Sequence, residues 1–167
     1  MLFVIPAARH VEADGKGRTL RADLHGFEET PLTISSTGSG EFVARISHDD
    51  SSFEYKLSFE DLEGTVTQSH IHLGQRGLSG GISIWLCGTA TNPGPAGTPS
   101  CGGPDSGEVT GTVSAANVIG PAGQGIAATE FAEVLKAMRE GVTYANVHSN
   151  LYPGGEIRGQ IRGRGKD

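Results

Sequence analysis

Apolar and polar residues alternate with period two along most of this chain, the mark of strands that bury one face. Leu20, Ala22 and Leu24 alternate with Arg21 and Asp23. Phe42, Ala44 and Ile46 share a face in residues 41–46, and Phe53, Tyr55, Leu57 and Phe59 share one in the next segment. The acidic turn His48-Asp49-Asp50 joins those two into a hairpin. Residues 65–73 and 82–87 read as two more strands around a Gly-rich turn at 74–81, and residues 108–113 as a weaker one. Residues 142–150 and 156–162 form a last hairpin, turned by Leu151-Tyr152-Pro153-Gly154-Gly155. A five-residue turn there pairs Asn150 with Glu156 and His148 with Arg158.

One segment breaks this period. Phe131, Val134, Leu135 and Met138 fall at i, i+3, i+4 and i+7, a single helical stripe that reads as core packing. Thr129 is its expected N-cap and Gly141 its stop, with Glu130 and Glu133 early and Lys136 and Arg139 late. Many short strands with one short helix predict an all-β, antiparallel β-sandwich or barrel of seven to nine strands, immunoglobulin-like or superoxide-dismutase-like in general architecture. The expected organisation is a lead-in over residues 1–19, one domain over 20–162 and a polar tail over 163–167. Residues 1–8 are apolar and read as a first strand ended by Pro6. A removed signal peptide, with Met1 as an added start, is the alternative.

Composition narrows the function. Charged residues make up 19% of the 167, and the net charge is −6. A mildly acidic chain without a basic cluster argues against nucleic-acid partners. The 26 glycines and low charge argue against coiled coils and helical bundles. No stretch approaches the roughly 20 apolar residues of a membrane span. A protein partner or homo-oligomer is left open.

The two cysteines, Cys87 and Cys101, bracket a Gly/Pro/Thr-rich stretch with little structure of its own. A bridge would staple it, worth on the order of 3 kcal/mol for such a loop. Two free thiols are the alternative. The bridge is favoured because the pair encloses one insertion, and it implies an oxidising location: secreted, periplasmic or cell-surface.

The candidate chemistry lies in the histidines. His70 and His72 are two apart in a strand and project from one face, opposite Ile71 and Leu73. His148 shares a face with Tyr144 and Asn146, opposite Ala145 and Val147. If the two strands are neighbours, three imidazoles converge without either strand giving up its core face. Three imidazoles with an open position suit a copper or zinc ion. The competing reading is that His70 and His72 bond to backbone and fix the turns. Glu156, Arg158 and Gln160 share a face of the last strand, with Arg158 beside the site. There a structural role, through Glu156 or backbone oxygens, is the stronger reading. His10, His25 and His48 read as surface residues. The sequence has no Gly-x-Ser-x-Gly elbow, phosphate loop or paired carboxylates, so hydrolase and phosphate chemistry have no support. Mononuclear copper redox chemistry is the enzymatic alternative.

Ser69-His70-Ile71-His72-Leu73-Gly74 with Gly77 and Gly80, Tyr144-Ala145-Asn146-Val147-His148-Ser149, and Pro153-Gly154-Gly155-Glu156-Ile157-Arg158-Gly159-Gln160-Ile161 together resemble the chordin-type (CHRD) domain. Leu24, Gly26, Glu29 and Pro31 resemble that family's opening Leu-x-Gly-x-x-Glu-x-Pro. The resemblance runs from about Leu20 to Arg162. It implies an all-β fold and occurrence in secreted proteins, and through chordin it points to a non-enzymatic interaction module. It does not imply a molecular activity. The chain departs from the pattern in the Cys87–Cys101 insertion and in His25. A fainter likeness to copper/zinc superoxide dismutases lies in the His-x-His, the late His and the nearby Arg. Residues 88–128 contain no His, so a dismutase-like zinc loop is missing and any site would be mononuclear.

Overall fold

The alternating segments become nine strands in the computed structural model, which describes residues 17–163. They are β1 (Thr19–His25), β2 (Ser39–Ile46), β3 (Ser52–Glu60), β4 (Val66–Leu73), β5 (Ile82–Gly88), β6 (Gly107–Ser114), β7 (Thr143–Ser149), β8 (Ile157–Gln160) and β9 (Arg162–Gly163). The first strand expected within residues 1–8, His10, and the tail beyond Gly163 lie outside the described residues.

One sheet runs β5-β4-β7-β8-β1-β2-β3-β6, with β9 beside β1 and every named pair antiparallel. It curls into a nearly closed barrel. At the gap between its ends the Tyr55 hydroxyl, from β3, donates to the Leu86 carbonyl of β5 at 2.5 Å. The inward faces form the core: Leu20, Leu24, Phe42, Phe53, Leu57, Ile71, Ile84, Leu86, Val147, Ile157 and Ile161 are all at most 1% exposed. Burial of that apolar area is the main force holding the curled sheet together.

The helix α1 (Phe131–Arg139) buries the expected stripe, and Phe131 stacks on Phe53 at 5.9 Å. Its C-terminus closes as expected. Gly141, at φ +74°, donates to Met138 O while Val142 donates to Ala137 O, satisfying the last carbonyls. The N-terminus differs from expectation. Thr129 sits at φ +71° and Glu130 takes the N-cap position. Thr129 N–H is committed to Val118 O, and its carbonyl accepts from Phe131 N–H, so docking of the incoming chain fixes this turn.

The last hairpin pairs Val147 with Ile157 and Asn146 with Arg158, two residues from the expected register. Asn150 N–H leaves the hairpin to bond Thr65 O, and Ser149 N–H turns to Tyr152 O, so the turn consumes more residues. A slip of two preserves which side chains face outward. Cys87 and Cys101 form a disulfide, as expected, with Cα atoms 4.9 Å apart.

Candidate metal centre

β4 and β7 are neighbours. His70 lies opposite Asn146, His72 opposite Tyr144 and His148 opposite Gln68. All three imidazoles stand on the outward side of the sheet, yet they are 1%, 8% and 6% exposed. One ligating atom from each lies within 4.8 Å of the others. The convergence depends on strand adjacency, which period-two patterning cannot supply.

Their hydrogen bonds fix the tautomers. His72 Nδ1 faces Gly80 O at 2.9 Å, and His148 Nδ1 faces Pro153 O at 3.0 Å. A carbonyl only accepts, so both Nδ1 atoms carry hydrogen and both Nε2 atoms carry lone pairs. His148 Nε2 then accepts from His70 Nδ1, 3.2 Å away. That leaves the Nε2 atoms of His70 and His72 buried with no hydrogen-bond partner. Buried polar atoms are normally paired, and an orphan costs about 1–3 kcal/mol.

Burial holds all three rings neutral. It pushes His70 down to about 2, aided by His148 and His72, and His72 down to about 4. His148 is lowered by burial as well. Neutral imidazole is the metal-binding form.

A second layer fixes this geometry. The Tyr144 ring stacks on His72 at 4.8 Å, with 3° between the planes. The Arg158 guanidinium carbon lies 3.5 Å from the Tyr144 ring centroid, making a three-tier stack. Arg158, itself 2% exposed, also donates to Thr30 Oγ1, Leu78 O and Gln75 O. Gly80 donates its N–H to the Tyr144 hydroxyl and accepts from His72 through its carbonyl. Only glycine fits there, since a Cβ would stand 1.7 Å from Leu73 O. Asn146 donates to Ile157 O at 3.1 Å and to Glu29 Oε1 at 2.5 Å. Burial raises the Glu29 carboxyl to about 7. Gly155, at φ +131°, lets that carboxyl approach, because a Cβ would meet both carboxylate oxygens at 2.6 Å.

Glu156 faces elsewhere. It accepts from Ser36 Oγ and the amides of Glu63 and Gly64, tying three loop positions together without touching Arg158 or the imidazoles. His25 and His48 are exposed and stand apart from the cluster. The sequence reading gave no site role to Glu29, Thr30, Gly80, Trp85 or Pro153. Glu29 was marked by the opening motif, and Gly80 and Pro153 by the Gly-rich and Pro-Gly-Gly turns. Trp85, whose ring centroid is 4.3 Å from that of His70, left no signal.

Searches of curated proteins and of solved structures find no match. The family model described as the CHRD domain matches residues 20–161, and so takes in β1 apart from Thr19, all of β4, β7 and β8, and every residue of the histidine cluster and its stack. The chain belongs to the CHRD domain family.

Proposed function

We propose that this CHRD domain binds one copper or zinc ion through His70, His72 and His148, for storage, delivery or redox chemistry outside the cytoplasm. The observation that carries the reading is the pair of buried, unpartnered Nε2 atoms on His70 and His72 beside His148. A metal ion would use the two free lone pairs of His70 and His72 and would take that of His148 Nε2 from its hydrogen bond with His70 Nδ1. The set holds no thiolate, which favours copper(II) or zinc over softer ions. The disulfide supports an oxidising compartment. Among the described residues no helix is long and apolar enough to cross a membrane.

Calorimetry on protein without a His tag tests this. One equivalent of copper(II) or zinc(II) is expected to bind at neutral pH. His72→Ala and His148→Ala should each abolish most of the affinity, and His48→Ala should leave it intact. Absence of stoichiometric binding would refute the reading.

A second reading is an extracellular interaction module in which the histidines are structural. Phe27, Leu32, Leu78 and Leu151 favour it. They are 58–74% exposed on the segments that carry the partners of the imidazoles and of Arg158. Concentration-dependent association, lost in Leu32→Ser with Leu151→Ser, would support this reading.

A further inference from the structure

Trp85 stands opposite His70 in the β4–β5 register, with the ring planes 82° apart. It is the only tryptophan and is half-buried. The indole meets His70 and is also packed by the loop of residues 89–100. Gly94, at φ +68°, brings that loop so close that a Cβ would come within 2.6 Å of Trp85 Cε3 and 2.9 Å of Cδ2. Pro95, Thr98 and Pro99 of the loop border a cleft of about 190 Å³ with Trp85.

The loop has little regular structure. Its backbone bonds are short-range turns, Thr89 with Asn92 and Thr98 with Pro95. Its ends are pinned by Gly88 N–H to Pro99 O and Cys101 N–H to Gly88 O, and by the disulfide between two fully buried cysteines. The order of contacts is therefore disulfide, loop, indole, His70. The insertion that departs from the family pattern is the part that backs a residue of the histidine cluster.

We infer that the Cys87–Cys101 loop is a redox-sensitive clamp that holds Trp85 against His70 and so controls access to that imidazole. The metal consequence rests on the proposed function; the clamp itself does not. A dithiol reductant would supply two electrons and two protons. The S–S bond breaks, Cys87 and Cys101 become thiols, and the dithiol becomes a disulfide. The freed loop no longer presses Gly94 on the indole, and His70 becomes exposed and less well oriented. Loss of an outer partner of a ligating histidine commonly lowers metal affinity ten- to a hundredfold, and that is the drop expected here.

The test compares the oxidised protein with Cys87→Ser/Cys101→Ser and with Gly94→Ala, which keeps the disulfide. Carbethoxylation by diethyl pyrocarbonate is followed at each histidine by peptide mass spectrometry, with His25 and His48 as exposed internal standards. Both variants should raise His70 reactivity at least tenfold relative to those standards and shift Trp85 emission to longer wavelength. Copper(II) and zinc(II) affinities should fall in parallel. Unchanged His70 reactivity in the folded double-serine variant overturns the clamp. Should that variant not fold, unchanged reactivity in Gly94→Ala overturns it. Increased His70 reactivity in a protein that binds neither metal supports the clamp and refutes the metal reading. Metal binding with unaltered His70 reactivity does the reverse.

Discussion

The outward faces of β1–β2–β3–β6 and of β4–β7–β8 come from similar alternating strands and have opposite fates. On the first, Arg21 pairs with Glu41 and Lys56 with Glu108, each at 2.7 Å and each about half exposed. Such pairs contribute about 0–1 kcal/mol. On the second, every residue of β7 and β8 is buried. The contrast comes from what lies above each face. Loops carrying Glu29 and Thr30, Gly80, and Pro153 roof the second face. They also supply the carbonyls and carboxylate that its polar groups need. Burial of polar side chains is costly unless each finds a partner. Arg158 and Asn146 have theirs, whereas His70 Nε2, His72 Nε2 and, farther along β8, Gln160 Oε1 do not. The two imidazole nitrogens differ from the other unpartnered atoms in lying beside a third imidazole, in a group that could hold an ion.

The largest expected effect separating the two faces is on pH. His70, His72 and His148 have folded pKa values below the unfolded value, so unfolding takes up protons in acid, with His70 and His72 at about 2 and 4 in the fold. Stability is present above about 6.5 and lost as pH falls below it. Glu29 acts the other way. Its folded value of about 7 exceeds its unfolded value of 4.5, so its contribution weakens stability as pH rises from 4.5 to 7. Two from His70 and His72 minus one leaves about one proton, to which His148 adds, so stability should fall by roughly 1–2 kcal/mol per pH unit between about 6.5 and 4.5. Urea titrations of the metal-free protein across that range measure the slope, and Glu29→Gln should steepen it. A flat profile would break the contrast between the faces.

Arg158→Ala comes next. It strips donors from Thr30, Gln75 and Leu78 and uncovers Tyr144, so a loss of about 3 kcal/mol is expected in urea unfolding. Metal should stabilise the wild type by about 2.7 kcal/mol when free ion is a hundredfold above Kd. Thermal shifts should show that gain, and it should vanish in His72→Ala. Smallest of all, Lys56→Ala on the open face should change stability by no more than about 0.5 kcal/mol. An effect there as large as that of Arg158→Ala would erase the distinction.

Local pattern made much of this legible. Strand positions, the apolar stripe of α1 and the shared face of His70 and His72 follow from periodicities that each strand or helix imposes on itself. The two-residue slip in the last hairpin did not follow, because Asn150 is drawn to Thr65, a residue 85 positions away. Thr129 does not cap α1, because its backbone N–H is committed to Val118.

Alternation in the sequence determined that His70, His72 and His148 would lie opposite a core face. It determined nothing about what covers them. A period of two sorts side chains into two faces but does not say which strands are neighbours or which distant loops fold over. Those were decided when the sheet curled, set β4 beside β7, and brought Glu29, Gly80 and Pro153 over the outer face. Only that packing removed water from the imidazoles, held them neutral and left two lone pairs unpartnered. Desolvation depends on every neighbour in space, and a linear pattern records only neighbours in the chain.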